Sequence, residues 1–302
     1  MKKSKWIVIG IVIFLISITV TFLHSSNILV PEPQIVPSGM DKFGIDKIYP
    51  TKEGGREWFI NMENPNDDSI FSITNNVPII ENDDGSWFIN NSLIRMNVNT
   101  PPDDEQWKNI EMTGYVKARQ IITGSTLISN NILDVDKIIE ESKDSVVFDW
   151  RARGGRHNDD IPCEGTALNG AIFGDGISNW KKEIWHTGGY TDPRGTVQAT
   201  GSIIDRWIGW KVVMYNTKDS QAVKMESYLD DENNNKWRKV TDIIDDGQWY
   251  SRSSDEVFYS AGCEKPKDYV LTNSGTIATF RADNIAFDFK DLSVREIQPP
   301  SN

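Results

Sequence analysis

A chain of 302 residues with a formal net charge of −12 does not read as a nucleic-acid binder, because phosphate backbones call for a basic surface. Its 38% hydrophobic residues, with 11 Trp, 12 Phe and 8 Tyr, argue against a disordered chain and supply a sizeable core. Neither a Gly-x-Ser-x-Gly elbow nor a phosphate-cradling loop before a helix occurs, so neither chemistry is assigned.

In chain order, Lys2, Lys3 and Lys5 come first, and residues 6–23 follow without a charge. A helix needs about 20 apolar residues to cross the hydrocarbon core, and lysines on its flank hold that end inside the cell. The reading is a cytoplasmic n-region at 1–5, a transmembrane signal-anchor at 6–23, and a chain outside the cell membrane from His24 on. Cleavage, which would give a secreted protein, is the alternative. The run is long for a signal peptide, contains no alanine, and ends Leu23-His24-Ser25-Ser26, a poor cleavage site. Residues 24–42, with Pro31, Pro33 and Pro37, read as an extended tether. One domain is expected over 43–297, with a tail at 298–302.

Inside that domain the dominant period is two. In Val146-Val147-Phe148-Asp149-Trp150-Arg151-Ala152-Arg153, Phe148, Trp150 and Ala152 face one way and Asp149, Arg151 and Arg153 the other. Strands are predicted at 58–61, 69–74, 92–98, 110–119, 146–153, 207–215, 223–229, 256–259, 276–281 and 285–297. Turn clusters separate them, as at Asn82-Asp83-Asp84-Gly85 and Asp245-Asp246-Gly247. The stretch at 135–142 is the one helical candidate, a connector. Many strands with polar turns mean a sandwich or barrel. The two cysteines, Cys163 and Cys263, read as a disulfide in an oxidising compartment. Asn90-Asn91-Ser92 is a glycosylation sequon, a pattern common by chance.

The C-terminal half carries Val223-Lys224-Met225-Glu226-Ser227-Tyr228-Leu229-Asp230, Lys236-Trp237-Arg238-Lys239-Val240, Phe280-Arg281-Ala282-Asp283-Asn284 and Asp288-Phe289-Lys290-Asp291-Leu292-Ser293-Val294-Arg295-Glu296-Ile297. On these segments the chain resembles the concanavalin A-like jelly rolls, the superfamily of lectin, laminin-G-like, glucanase and alginate-lyase-like domains. The resemblance is closest over 145–297. The expected fold class is therefore all-β, a concanavalin A-like jelly-roll sandwich of two antiparallel sheets preceded by one N-terminal transmembrane helix.

That resemblance implies work on a carbohydrate polymer or cell-surface glycan, in one of three versions. Glucanases of this fold use a Glu-x-Asp-x-x-Glu type strand, since two carboxylates must share acid and nucleophile or base duty. No such strand occurs here; Asp134-Val135-Asp136 and residues 242–246 read as solvated turns. A lyase needs a cation to neutralise a uronate carboxylate, a base, and an acid for the leaving oxygen. Arg151 or Arg153 would neutralise, His186 abstract, and Tyr190 or Tyr215 protonate. The chain has Ile184 where alginate lyases place a Gln two residues before the His, and Val213-Met214-Tyr215-Asn216 where they have Tyr-x-Lys-x-Gly-x-Tyr. His186 also reads as a hydrogen-bonded structural histidine.

The preferred version is a non-catalytic, lectin-like binding domain held at the membrane by its N-terminal helix. Sugars stack their C–H faces on aromatic rings and give their hydroxyls to polar groups. Trp185, Tyr228 and Trp249, with Lys182, are the candidate ligand contacts; Trp207 and Trp210 are weighed beside them, each Trp against a place in the core. Tyr228 stands out because Val223, Met225 and Leu229 already furnish the core face of its strand. A surface adhesion or assembly protein without a glycan ligand is a further alternative. No cofactor is required; a structural calcium ion, which takes 6 to 8 oxygen ligands, is allowed for at Asp283 and Asp288.

Overall fold

The computed structural model describes residues 38–101, 104–121, 147–155, 160–161, 163–217 and 219–300. The predicted membrane segment at 6–23, most of the tether and the connector at 135–142 lie outside the described residues. No helix among the described residues is long and apolar enough to cross a membrane.

The elements run β1 (Glu57–Phe59), β2 (Phe71–Ile73), β3 (Ile79–Glu81), β4 (Trp87–Asn99), β5 (Ile110–Ile121) and β6 (Val147–Gly154). Then come β7 (Ala167–Phe173), β8 (Ile177–Glu183), β9 (Arg194–Gln198), β10 (Trp207–Asn216), β11 (Val223–Asp230), β12 (Arg238–Asp245), a helix α1 (Asp255–Ser260) and β13 (Ile277–Glu296). The pairings between these strands are antiparallel.

β13 organises the fold. Its first half pairs β6 up to Asp283, its second half pairs β5 from Ile285 on, and Asn284 between them sits at φ 55°. A front sheet therefore runs β4, β13, β6, β7, β8, β9, and a back sheet runs β13, β5, β10, β11, β12. The two lie face to face. Phe148 and Trp150 of the front sheet share one apolar core with Val212, Met214, Met225 and Leu229 of the back sheet. Trp180 Nε1 of β8 donates across to Thr241 Oγ1 of β12 at 2.7 Å. A methyl group on Gly170 of β7 would stand 2.6 Å from Val212 of β10, so the sheets touch there only because that position lacks a Cβ. This is an all-β antiparallel jelly-roll sandwich, as expected.

Three local readings change. Residues 256–259 are helical, inside α1: Ser254 caps the helix by accepting from Val257 N at 3.3 Å, and Asp255 and Glu256 suit its positive first turn. The predicted strands 276–281 and 285–297 are one strand, because the left-handed residue between them, Asn284, bends β13 without breaking it. β3, β7, β8, β9 and β12 are additional to the predicted strands. In Ala167–Phe173 both faces are largely covered, so no alternation marks the strand.

The described chain begins at Ser38, within the predicted tether, and residues 38–49 fold back over the outer face of the back sheet. Ile45 and Ile48 close over Tyr115, Val213, Tyr215, Tyr228 and Trp237. Beneath this strap lies a buried ionic cluster: Glu111 Oε1 takes Lys211 Nζ at 2.9 Å, and Glu111 Oε2 takes Arg295 at 2.6 Å and Ile48 N at 3.1 Å. Burial alone would raise the Glu111 carboxyl, yet Lys211 and Arg295 together outweigh it and hold it below its ordinary 4.5. At Lys211 burial wins and lowers the ammonium, since the single carboxylate is shared with Arg295. A carboxylate depressed in the folded state stabilises above its unfolded value and loses that contribution as pH falls through the folded one. The domain is thus expected to weaken below about pH 4.5. In Glu111→Gln the gap from wild type should shrink between pH 7 and pH 3 in urea titrations; a gap independent of pH would contradict this assignment.

Candidate functional site: a polar cleft on the front sheet

The outer face of the front sheet carries rows of polar side chains set by strand register. One row crosses Arg281 of β13, Asp149 of β6, Ala171 of β7 and Asn179 of β8; the next crosses Thr279, Arg151, Asn169 and Lys181. Each of these positions is the alternate of an inward residue such as Phe148, Trp150, Leu168 or Trp180. The sheet core therefore dictates the polar carpet.

Beyond Glu183, β8 ends in a tight loop. Ile184 N donates to Gly189 O at 3.0 Å and Gly189 N to Trp185 O at 3.1 Å, so the chain reverses and returns Tyr190 beside Glu183. Gly189 permits this, because a Cβ there would lie 2.4 Å from Trp185 N. The next segment is laid alongside: Thr191 bridges Ser251, and Arg252 N donates to Tyr190 O at 2.9 Å. Between loop and sheet opens a cleft of about 250 Å³ lined by Asp149, Asn169, Lys181, Tyr190, Arg252 and Arg281, with Ala171, Phe173 and Thr191.

Glu183, fully buried, is the hub at its edge. Arg151 lies 3.4 Å from Glu183 Oε2, His186 Nδ1 lies 3.5 Å from Glu183 Oε1, and Tyr190 hydrogen-bonds the same carboxylate. Burial and that carboxylate push the Tyr190 phenol well above its usual range, so it stays a proton donor. On the cleft floor, burial pushes the Asp149 carboxyl up against the pull of Arg281, 3.3 Å away, and Arg151. Asp149 Oδ1 and Asn169 Oδ1 are buried there with no hydrogen-bond partner.

Three of the predicted catalytic residues, Arg151, His186 and Tyr190, are thus brought together, and two are not. Arg153 does not share the face of Arg151. A bulge in β6 opposite β13 puts it at φ 67°, and its side chain runs inward to Asn216 and to Leu271 O at 2.8 Å; burial lowers its pKa to about 9. Tyr215 belongs to the other sheet, under the strap, edge-on to Tyr49.

The predicted ligand contacts are buried. Trp185 is fully covered, its ring 3.8 Å from that of Phe258, with Nε1 donating to Thr187 O. Trp249 is 3% exposed and donates to Asp192 O at 2.8 Å. Lys182 points between the sheets, not outward, where its ammonium meets Asp245 at 2.8 Å. Tyr228 does face away from the core, as alternation requires, but the strap covers that face and its hydroxyl donates to Glu226 at 2.9 Å. Trp210 is in the core, and Trp207 is half-buried beneath the Lys290 ammonium. Cys163 and Cys263 form the disulfide, with a Cα–Cα distance of 5.4 Å.

Asp283 and Asp288 do not make one calcium site. Five residues of strand, about 16 Å, separate them, far more than two ligands of one ion allow. Asp283 is bound by Arg95 at 2.6 Å and by Arg281, and Asp288 by Arg119 at 2.6 Å and Asn82 at 3.1 Å. Among the described residues no group of three or more His, Cys, Asp or Glu is placed to hold a metal ion.

Asn169, Lys181, Arg252 and Arg281 were not singled out from sequence. The turn Gly174-Asp175-Gly176, with Gly176 at φ 85°, is the signal that marks the β7–β8 hairpin and with it the first two. Arg281 sits in a predicted strand opposite Asp149, but that pairing is not local in sequence.

No family model matches the chain, and no curated protein is a significant match. Among solved structures, it is similar to a Bacillus subtilis protein with a galectin-like fold at TM-score 0.41 and 10% identity, covering 81% of this chain and 100% of that one. It is similar to winged bean acidic lectin, solved with methyl-α-D-galactose, at 0.40 and 5%, covering 81% and 100%. Peanut lectin is similar at 0.38 and 6%, covering 82% of this chain and 99% of the lectin. At these scores the likenesses decide nothing about ligand or chemistry, which rest on the cleft itself.

Proposed function

We propose that this domain binds carbohydrate in the front-sheet cleft, displayed outside the membrane by its N-terminal segment. The observation that carries the reading is the pair of buried, unpartnered acceptors on the cleft floor, Asp149 Oδ1 and Asn169 Oδ1. An unsatisfied buried acceptor costs about 1–3 kcal/mol, and a sugar hydroxyl is the donor that relieves it. Tyr190 and Phe173 offer ring surface in the same cleft for sugar C–H faces. The Cys163–Cys263 bridge supports an oxidising compartment. The test is a glycan-array screen of the full chain followed by titration of the best ligand. Asn169→Ala should weaken that ligand about tenfold, or about 1.4 kcal/mol. An unchanged affinity would remove the cleft from the reading.

Elimination at a uronate is the second reading, favoured by the meeting of Arg151, His186 and Tyr190 at Glu183. In it Arg151 neutralises the uronate carboxylate and His186 takes the proton beside it. The C–O bond to the leaving sugar breaks as the carbon–carbon double bond forms, and Tyr190 gives its proton to the departing oxygen. Glu183 orients His186 and keeps Tyr190 protonated. Ultraviolet absorbance of unsaturated uronate ends, lost in His186→Ala, would support catalysis; binding without that absorbance leaves the lectin reading alone.

A further inference from the structure

We infer that the sugar unit held in this cleft carries an anionic group, a carboxylate or a sulfate, beside free hydroxyls; the inference rests on the carbohydrate reading above. The chain as a whole is acidic, at −12, yet the cleft lining has the opposite sign: Lys181, Arg252 and Arg281 against Asp149 alone. That reversal is local and coincides with the concave part of the surface, where field is concentrated.

The three cations are not equivalent. Arg281 is committed, with Asp149 at 3.3 Å and Asp283 at 2.5 Å. Lys181 and Arg252 have no carboxylate within 4.0 Å among the described residues. They approach the cleft from different supports, Lys181 from β8 and Arg252 from the segment bridged to Thr191. Neither contributes to the core: Arg252 is exposed and Lys181 half-buried. Asp149 attracts Lys181 but is ion-paired with Arg281, so two cations at one cleft that are in no ion pair of their own are complementary to an anion that the protein does not itself supply.

The floor excludes a bare anion. Asp149 is 8% exposed and Asn169 3%, and the unpartnered oxygens of the Asn169 amide and of the Asp149 carboxylate accept hydrogen bonds and donate none. An inorganic sulfate or an isolated carboxylate would bring acceptors to acceptors there. A hydroxyl-bearing ring with one anionic substituent satisfies both halves, giving hydroxyl protons to Asp149 and Asn169 while its anion lies between Lys181 and Arg252. At about 250 Å³ the cleft falls below the roughly 300–1,000 Å³ typical of drug-sized ligand sites, so it accommodates one unit of a polymer.

The test measures affinity of the full chain for matched polymers: polygalacturonate and its carboxyl-reduced form, a sulfated galactan and its desulfated form, and a neutral glucan. The expected result is at least tenfold tighter binding to one anionic polymer than to its neutralised form, weakened by salt. Lys181→Ala and Arg252→Ala should each weaken it several-fold with an unchanged melting temperature, since both side chains lie outside the core. Preference for polygalacturonate identifies a carboxylate, and for the galactan a sulfate. Equal binding to charged and neutralised forms, insensitive to both variants, overturns the inference and leaves the carbohydrate reading standing. Full competition by millimolar inorganic sulfate, with no effect of Asn169→Ala, overturns the hydroxyl half. Binding to no glycan on the array or in this panel overturns both readings together.

Discussion

Replacing Lys182 by methionine lowers the unfolding free energy by about 3–5 kcal/mol, the range for removing one partner of a buried ion pair. Lys182 and Asp245 are both fully buried, and their 2.8 Å contact ties β8 of the front sheet to β12 of the back sheet. The ammonium also donates to Tyr269 O at 2.8 Å and lies 5.3 Å from the Trp249 ring centroid. Methionine keeps most of the side-chain volume, so the loss is one of charge and hydrogen bonds and not of packing. It strands Asp245, whose carboxyl burial already pushes above its usual value even with Lys182 present. A carboxylate raised in the folded state is penalised at neutral pH, and that penalty disappears on protonation, so Lys182→Met should recover relative to wild type as pH falls. Urea midpoints at pH 7 and pH 5 measure both effects. The double variant Lys182→Met/Asp245→Leu should regain much of the stability, because a buried pair is often replaceable by apolar groups. A single variant within 1 kcal/mol of wild type, or a double as weak as the single, would show that the pair is not the tie between the sheets.

That position also marks where sequence reasoning stops. Alternation holds within an unbulged strand and is uninformative past its end: continued through residues 182–186 it would set Lys182 and His186 on one face, but β8 finishes at Glu183, and a loop delivers His186 to the carboxylate of Glu183 from outside. Alternation in β11 correctly turned Val223, Met225 and Leu229 to the core and Tyr228 away from it. What it did not carry is that residues 38–49, some 180 positions earlier, would cover that outer face. Arg153 failed for a different reason, a bulge that reverses one side chain and leaves the sequence pattern intact. The convergence of Arg151, His186 and Tyr190 was legible as chemistry because an arginine, a histidine and a tyrosine serve one reaction type. The hub that gathers them, Glu183, carries no sequence signal of that role. Side chains whose role is to accept a ligand's hydroxyl, such as Asn169, have no sequence signature apart from the strand that holds them.

Removing the disulfide should cost nearly as much and strike closer to the cleft. Cys163 and Cys263 are separated by 100 positions, and on the chain-entropy model closing a loop of that length is worth about 4.7 kcal/mol. Measured losses for native disulfides span about 2–5 kcal/mol, and the double variant Cys163→Ser/Cys263→Ser is expected in the upper half of that range. The bridge also joins the two segments that hold the rim. On one side of it Glu164 O accepts the backbone N–H of His186 at 2.9 Å; on the other lies α1, whose Phe258 packs on Trp185. Arg252 precedes α1, and its own N–H is bound to Tyr190 O. A loss confined to the unfolded state would lower the denaturation midpoint while leaving ligand affinity unchanged well below the melting temperature. Loss of rim geometry would instead lower affinity at temperatures where the fold is intact, and reduction of the wild type would reproduce it. The second outcome is expected, because Glu164 and Phe258, close to the bridge on either side, hold His186 and Trp185 in the loop that returns Tyr190 to the cleft, and the Cys163→Ser/Cys263→Ser variant titrated with the best array ligand at 10 °C and 25 °C decides between them.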